Sequence, residues 1–128
     1  MLKVKSVFEP IHKDDGLRIL ATRYRGQGMR ATRYNVWMAC LGPTERLLKS
    51  FSNLNWPEWS KRYRAQMLGA DTREPKNPVI RNAGQKFTLR LIKHLAKRQN
   101  VTLMCHCAKD ATQCHRFLLR DLINSAKI

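Results

Sequence analysis

Acidic side chains are scarce in this sequence. The 128 residues include 9 Asp and Glu against 25 Lys and Arg, which gives a formal net charge of +16 at pH 7. A surplus of positive charge attracts polyanions and accelerates their association with a protein. We therefore expect an anionic partner, such as nucleic acid or another polyanion.

Several protein classes are excluded by what else is missing. The longest unbroken apolar run spans residues 36–41, whereas a membrane-spanning helix needs roughly 18–20 apolar residues. The first residues lack the apolar core and cleavage site of a signal peptide. Three of the four cysteines lie close together, unlike the spread framework of a secreted disulfide-bonded domain. These features predict a cytoplasmic protein without membrane interaction, and the length predicts one domain over residues 1–128.

The spacing of apolar residues predicts an α/β fold. Alternating or continuous apolar residues predict strands at 2–8, 17–22 and 101–105, and the segment 36–41 fits either a strand or a helix. Helical periodicity follows Thr44, Pro57 and Thr112 and also covers 83–98, while 69–82 has the composition of a loop. Helices between non-adjacent strands favour parallel pairing. We expect a single three-layer domain with a small, mostly parallel sheet flanked by helices.

Two predicted helices have distinct faces. In the helix over 83–98, the expected core face comprises Phe87, Leu91, Ile92 and Leu95. Opposite that face, a basic stripe recurs at helical spacing and is expected to be exposed and to bind anions; its residues are Lys86, Arg90, Lys93 and Lys97. In the last helix, capped by Thr112, the expected buried residues are Leu118, Leu119, Leu122, Ile123 and Ala126.

The segment VTLMCHCAKDATQCHR over residues 101–116 concentrates the reactive side chains. It joins the end of a strand to the start of a helix, where ligands bind in α/β folds, anions are stabilised and thiol pKa values are lowered. Cys105 or Cys107 is therefore a candidate nucleophile, and His115 is a candidate catalytic partner. Because a cation opposes the helix dipole, we expect Arg116 to face an anion or a carboxylate such as Asp110.

An arginine-rich loop follows the second strand. It contains Arg23, Arg25, Arg30 and Arg33 together with two glycines, and guanidinium groups bind phosphate through paired hydrogen bonds. Parallel pairing of strands 17–22 and 101–105 would bring Arg23 and Arg25 towards Cys107, His115 and Arg116, where we expect a bound anion. An Arg116→Ala substitution should then weaken anion binding with little effect on stability.

Most of the chain resembles one family. The order SVFEP, KDDG, GLRILATRYRGQG, LGPTERLLKSF, NWPEWSKRYRAQM, VTLMC and KDATQCHRFLLRDLI is similar to domain-of-unknown-function family 488, an uncharacterised bacterial and archaeal α/β family. The family loop often opens with an acidic residue where this sequence has Thr22 before Arg23. The resemblance implies an α/β fold and no established reaction.

Other interpretations of the cysteines remain open. Cys105, Cys107, Cys114 and His115 are ligand types for zinc, but adjacent helical positions diverge and four convergent ligands are hard to arrange, so we predict no metal and no other cofactor. A phosphatase signature is rejected because eight residues rather than five separate Cys107 from Arg116. Cys114 can simply pack in the core, and the tryptophans Trp37, Trp56 and Trp59 fit packing better than base stacking.

Three functions follow from these patterns. The leading hypothesis is a basic domain that binds or processes nucleic acid or a nucleotide phosphate. The second is a small cysteine-dependent enzyme acting on an anionic substrate that carries phosphate or carboxylate. The third is an interaction protein whose cysteine cluster is inert. The sequence does not predict the oligomeric state.

Overall fold

The computed structural model describes residues 1–69, 72–74, 77–82 and 84–128. The strands are β1 (Leu2–Ser6), β2 (Leu17–Leu20), β3 (Val36–Trp37), β4 (Thr72–Glu74), β5 (Asn77–Asn82) and β6 (Val101–Cys105). The α-helices are α1 (Glu45–Lys49), α2 (Trp56–Leu68), α3 (Lys86–Ala96) and α4 (His115–Asn124). None of the helices in these ranges is both long and apolar enough to cross a bilayer.

The main sheet confirms the predicted α/β class. Its strand order is β1-β6-β2-β3, and every pair of neighbours is parallel. All five residues of β6 are buried, as expected for a central strand covered on both faces. Because β2 and β6 are parallel neighbours, their carboxyl ends lie side by side as predicted. The polar segments that follow the two strands therefore start from the same edge.

The two faces of the sheet are covered differently. On one face, α2, α3 and α4 pack against apolar side chains of the strands and form the main core, which includes Ile19, Leu103, Trp59, Tyr63, Met67, Leu89, Leu119 and Ile123. On the other face, Val7, Leu20 and Met104 form a smaller cluster. Met29 and Tyr34 cover this cluster, so the arginine-rich loop provides the outer layer there.

Two segments differ from the secondary structure that the sequence predicts. Within 69–82, expected to be a loop, β4 and β5 form a two-stranded antiparallel hairpin. Pro78 is compatible with it because each strand of an isolated hairpin is an edge strand. The ambiguous segment 36–41 forms the two-residue strand β3 followed by a 3₁₀ turn over Ala39–Leu41. Ala83, the predicted start of the next helix, lies outside the described residues.

Helix α3 is oriented differently from the prediction. Leu89 and Ile92 are buried, whereas Phe87 and Leu91 are 63% and 59% exposed. Apolar residues occupy more than half of the circumference of this helix. Two different sets of them have helical spacing, so spacing alone does not identify the buried face. Leu95 packs against the core as expected.

The basic stripe of Lys86, Arg90, Lys93 and Lys97 consequently does not form one exposed surface. Arg90 and Lys97 are exposed, but Lys86 and Lys93 are half-buried. The Lys93 ammonium donates hydrogen bonds to the backbone oxygens of Ser125 and Ile128, both at 2.9 Å. Lys93 therefore fastens the end of the chain to α3, and the expectation of a continuous exposed stripe is wrong.

Helix α4 begins later than predicted. Its N-cap is Cys114 rather than Thr112, and no side chain caps its first turn. Leu118, Leu119, Leu122 and Ile123 are buried as predicted. Ala126 is exposed because the helix ends at Asn124. The late start keeps residues 106–114 as a loop between β6 and α4.

Candidate functional site

Three cysteines meet where β6 leads into α4. The sulfur atoms of Cys105, Cys107 and Cys114, here called the cysteine cluster, all lie within 4.8 Å of one another. Cys105 ends β6 and Cys114 caps α4, and their sulfurs are 3.0 Å apart. Both are buried, whereas Cys107 in the intervening loop is half-buried. Cys107 is therefore the cluster member that a solute can reach.

The cluster favours a thiolate on Cys107. Hydrogen bonds from the Cys105 and Cys114 thiols lower the pKa of Cys107 well below its usual range, and the Arg116 charge contributes, while burial opposes the shift. The same hydrogen bonds raise the pKa values of Cys105 and Cys114, and burial adds to this effect. The cluster therefore favours a negative charge on Cys107 over one on Cys105 or Cys114.

His115 is a neutral imidazole in this site. Burial lowers its pKa, and Nε2 lies 2.5 Å from the carbonyl oxygen of Ala21. Since a carbonyl only accepts, Nε2 carries the proton and Nδ1 is left as an acceptor. Nδ1 lies 3.9 Å from the Cys114 sulfur, and the ring packs edge-on against Tyr63. His115 links the cysteine cluster to the end of β2 without adding a charge at neutral pH.

Arg116, in the first turn of α4, is buried and binds the preceding loop. It is 2% exposed, and Nη1 donates to the Cys105 sulfur at 3.2 Å and to the Cys107 carbonyl at 3.4 Å. Nη2 donates to the carbonyls of Ala108 and Lys109 at 3.1 and 3.3 Å. The expectation that Arg116 pairs with Asp110 is wrong, since Asp110 is exposed and backbone carbonyls take its place. Removing Arg116 should therefore destabilise the protein, contrary to the expectation from sequence.

Arg23 lines the same cavity as Cys107. Its Nε and Nη2 atoms donate to the carbonyls of Pro43 and Gly42 at 3.1 and 3.0 Å. Gly42 permits this close approach, because a Cβ there would lie 2.1 Å from the backbone nitrogen of Arg23. Within the described part of the chain, Nη1 of Arg23 has no hydrogen-bond partner. It remains available to a ligand.

Two cavities open beside Cys107. One of about 150 Å³ is lined by Arg23, Cys105, His106, Cys107 and His115 together with Thr22, Tyr24, Pro43 and Leu48. The other, of about 280 Å³, is lined by Cys107, Gln113, Cys114 and His115 together with Pro43, Leu48, Phe51 and Trp59. Both lie at the N-terminus of α4, where unpaired N–H groups favour an anion. Cys107 and His115 belong to both cavities.

The remaining predicted anion-binding residues lie elsewhere. The Arg25 side chain is exposed and lines neither cavity, although the carbonyl of Arg25 lies 3.0 Å from Nε2 of His106. None of the four basic-stripe residues lines either cavity. The structure therefore brings together Cys105, Cys107, His115, Arg116 and Arg23, and it separates them from Lys86, Arg90, Lys93 and Lys97.

The cysteine cluster offers three sulfur ligands to a thiophilic metal ion. The fourth ligand of the zinc alternative, His115, is not part of this group, although its Nδ1 lies 3.9 Å from the Cys114 sulfur. Three convergent ligands with one open position differ from a closed four-ligand structural site.

Comparison with known proteins places the chain in a family. A family model described as the Active DUF488-N3 subclade matches residues 2–127. The chain belongs to the DUF488 family. The uncharacterized protein YeaO of Escherichia coli (strain K12) is 27% identical over 128 residues, which cover 97% of each chain. No solved structure matches.

Sequence reasoning missed two parts of the site in this DUF488 protein. The backbone carbonyls of Gly42 and Pro43 accept the hydrogen bonds that position the Arg23 guanidinium. A Gly-Pro pair after an apolar segment is typical of a turn and could have indicated this close approach. Thr22, which precedes Arg23 at the start of the arginine-rich loop, is buried and donates a 2.6 Å hydrogen bond to the carbonyl of Tyr24. Its hydroxyl fixes the loop entry without adding a carboxylate.

Proposed function

We propose that this protein is a cysteine-dependent enzyme that uses Cys107 as a nucleophile on a substrate carrying a phosphate or carboxylate group. The observation that carries the proposal is the position of the Cys107 sulfur. The sulfur lies within 4.8 Å of two buried thiols, and Cys107 lines two cavities, one of which Arg23 also lines. Reactive cysteines lie in such electropositive, partly exposed surroundings, whereas structural cysteines are buried and inert.

The chemistry follows from the charges around Cys107. The thiolate sulfur would donate an electron pair to an electrophilic atom of the substrate while the bond to the leaving group breaks. The leaving group departs with the electron pair of that bond, and attack by water on the covalent intermediate restores the thiolate. Cys105 and Cys114 stay protonated and hold Cys107 in place, so they are positioning residues.

The anionic part of the substrate has two favourable contacts. Nη1 of Arg23 has no partner among the described residues, and His115, the first residue of α4, lines both cavities. A guanidinium and a helix N-terminus stabilise phosphate and carboxylate alike. These contacts favour an anionic substrate over a neutral one of the same size.

Alkylation of Cys107 with a matched pair of reagents tests the proposal. Iodoacetate carries a carboxylate and iodoacetamide does not, and mass spectrometry locates the modified cysteine. At about pH 6, where an ordinary thiol is almost fully protonated, we expect Cys107 to react faster than free cysteine. We also expect the ratio of the alkylation rate with iodoacetate to the rate with iodoacetamide to be higher for Cys107 than for free cysteine. Arg23→Ala should lower this ratio to the value for free cysteine.

Arg25→Ala is the matched control. Arg25 carries the same charge as Arg23 and lies two residues further along the chain, but its side chain lines neither cavity. It should retain the preference for iodoacetate. A Cys107 that reacts no faster than free cysteine would contradict the proposal and favour an interaction protein with an inert cluster. An unchanged reagent preference in Arg23→Ala would contradict the role of Arg23 in binding the anion.

A further inference from the structure

A third cavity lies on the same edge of the sheet. It has a volume of about 490 Å³ and is bordered by the residues after β1 and by the arginine-rich loop. We call it the arginine groove; its lining residues are Phe8, Ile11, Gln27, Gly28, Met29, Arg30, Thr32 and Arg33. None of these residues lines the two cavities at Cys107.

His106 connects the arginine groove to Cys107. Its side chain lines the smaller Cys107 cavity, and its ring centroid lies 6.4 Å from that of Phe8 in the groove. The loop closes tightly over it, since a Cβ at Gly26 would lie 2.9 Å from Cε1 of His106. His106 is only half-buried, so a ligand chain that spans the smaller Cys107 cavity and the groove would pass along the part of this residue that the loop leaves exposed.

The groove combines apolar surface with unpaired positive charge. Phe8 and Ile11 are 61% and 45% exposed, which is unusual for apolar side chains that are neighbours at one site. Within the described residues, no carboxylate lies within salt-bridge distance of Arg30 or Arg33. An exposed aromatic ring in the same groove as such arginines can stack on a base while the guanidinium groups bind phosphates.

We infer that the arginine groove binds single-stranded nucleic acid and presents one of its phosphate groups to Cys107. This inference rests on the proposed function and names its substrate class. A single strand is favoured over a duplex because the Phe8 ring can stack only on a base that is not already paired and stacked in a helix. The net charge of +16 provides the long-range attraction for such a polyanion.

Binding of short, fluorescently labelled single-stranded DNA and RNA to the full-length Cys107→Ser protein tests the inference. The serine prevents turnover, and fluorescence anisotropy measures affinity at several salt concentrations. The Arg30→Ala/Arg33→Ala protein should bind at least about 10-fold more weakly, and its salt slope should fall by about 1.4, the value for two lost phosphate contacts on a single strand. Phe8→Ala should weaken binding about 10-fold with little change in salt slope.

The matched control is Lys61→Ala/Arg64→Ala, which removes the same charge from exposed positions on α2, a helix of the opposite layer. It should bind like the parent protein. Equal losses in both double variants would show that only net charge matters and would overturn the inference. Binding of an acidic protein but of neither oligonucleotide, or tighter binding of the duplex than of the single strand, would overturn it as well.

Protection of Cys107 separates this inference from the proposed function. In the wild-type protein, a saturating oligonucleotide should slow alkylation of Cys107 by iodoacetamide at least about 10-fold, because its phosphate would occupy the adjoining cavity. An oligonucleotide that binds through Arg30 and Arg33 without protecting Cys107 would overturn the inference. If Cys107 is unreactive even without oligonucleotide, the proposed function fails, while groove binding is still decided by anisotropy.

Discussion

Removal of the Arg116 guanidinium should loosen the loop that carries Cys107. Arg116 donates four hydrogen bonds, one to the Cys105 sulfur and three to consecutive loop carbonyls. Ala108 and Lys109 are exposed, so water can replace the guanidinium at their carbonyls. The Cys105 sulfur is fully buried, and without the guanidinium it keeps the Cys114 sulfur, 3.0 Å away, as a hydrogen-bond partner. Loss of a hydrogen bond from a charged group costs about 1.5–3 kcal/mol, and the cavity left by the side chain adds to this.

We therefore expect Arg116→Ala to lower the free energy of unfolding by about 3 kcal/mol. For a chain of this length, such a loss lowers Tm by about 10 °C. The Cys107 pKa should rise at the same time, because the Arg116 charge helps to lower it. Urea denaturation measures the first effect, and the rate of Cys107 alkylation at about pH 6 measures the second.

Arg116→Lys is the informative control. A lysine retains the positive charge but its single ammonium cannot donate to four acceptors in a planar arrangement. It should therefore preserve Cys107 alkylation at low pH better than alanine does, while still destabilising the protein. If Arg116→Ala is as stable as wild type within about 0.5 kcal/mol, the guanidinium does not hold the loop and our interpretation of this residue is refuted.

Three further predictions concern the cluster and its surroundings. The difference in free energy of unfolding between wild type and Cys107→Ser should rise with pH between the lowered Cys107 pKa and about 8.5, by up to about 1.4 kcal/mol per pH unit. The reason is that the folded thiolate binds fewer protons than the unfolded thiol. A difference that does not change with pH, measured by urea denaturation, would contradict this. Gly26→Ala should destabilise by about 1–2 kcal/mol more than Gly28→Ala, since both have positive φ but only a Cβ at Gly26 meets His106; equal Tm values would show that this contact is unimportant. Lys93→Ala should lower the free energy of unfolding by about 1–2 kcal/mol because it removes two hydrogen bonds to backbone oxygens. Arg90→Ala, at an exposed position, should change it by less than about 0.5 kcal/mol. A larger loss for Arg90→Ala than for Lys93→Ala would contradict the orientation of α3.

The sequence predicts the architecture of the sheet edge well, because the relevant signals are local and periodic. The buried strand β6 and the apolar faces of α2 and α4 follow from apolar spacing alone. The adjacency of β2 and β6 follows from the parallel α/β pattern. Together these place the ends of both strands, and hence Arg23 and Cys107, on one edge.

The details of the site depend on loop geometry that no periodicity encodes. A basic residue in the first turn of a helix is ordinarily exposed, and Arg116 is buried only because three successive carbonyls of the 107–109 loop point towards it. The meeting of three sulfurs likewise depends on the chain turning after Cys105, where β6 ends. The sequence predicts the wrong buried face for α3 because its apolar residues are compatible with two faces. Packing against α4 and β6 selects one of them.

The protonation state of Cys107 is the central claim, and NMR of protein labelled with ¹³C at the cysteine Cβ atoms measures it directly. The Cβ chemical shift distinguishes thiolate from thiol, and serine substitutions assign each signal. We expect Cys107 to remain a thiolate from neutral pH down to about pH 5, while Cys105 and Cys114 remain thiols above about pH 8.5, where an ordinary cysteine is half ionised. A Cys107 signal that titrates near pH 8.5, together with ordinary titration of its two neighbours, would contradict the account.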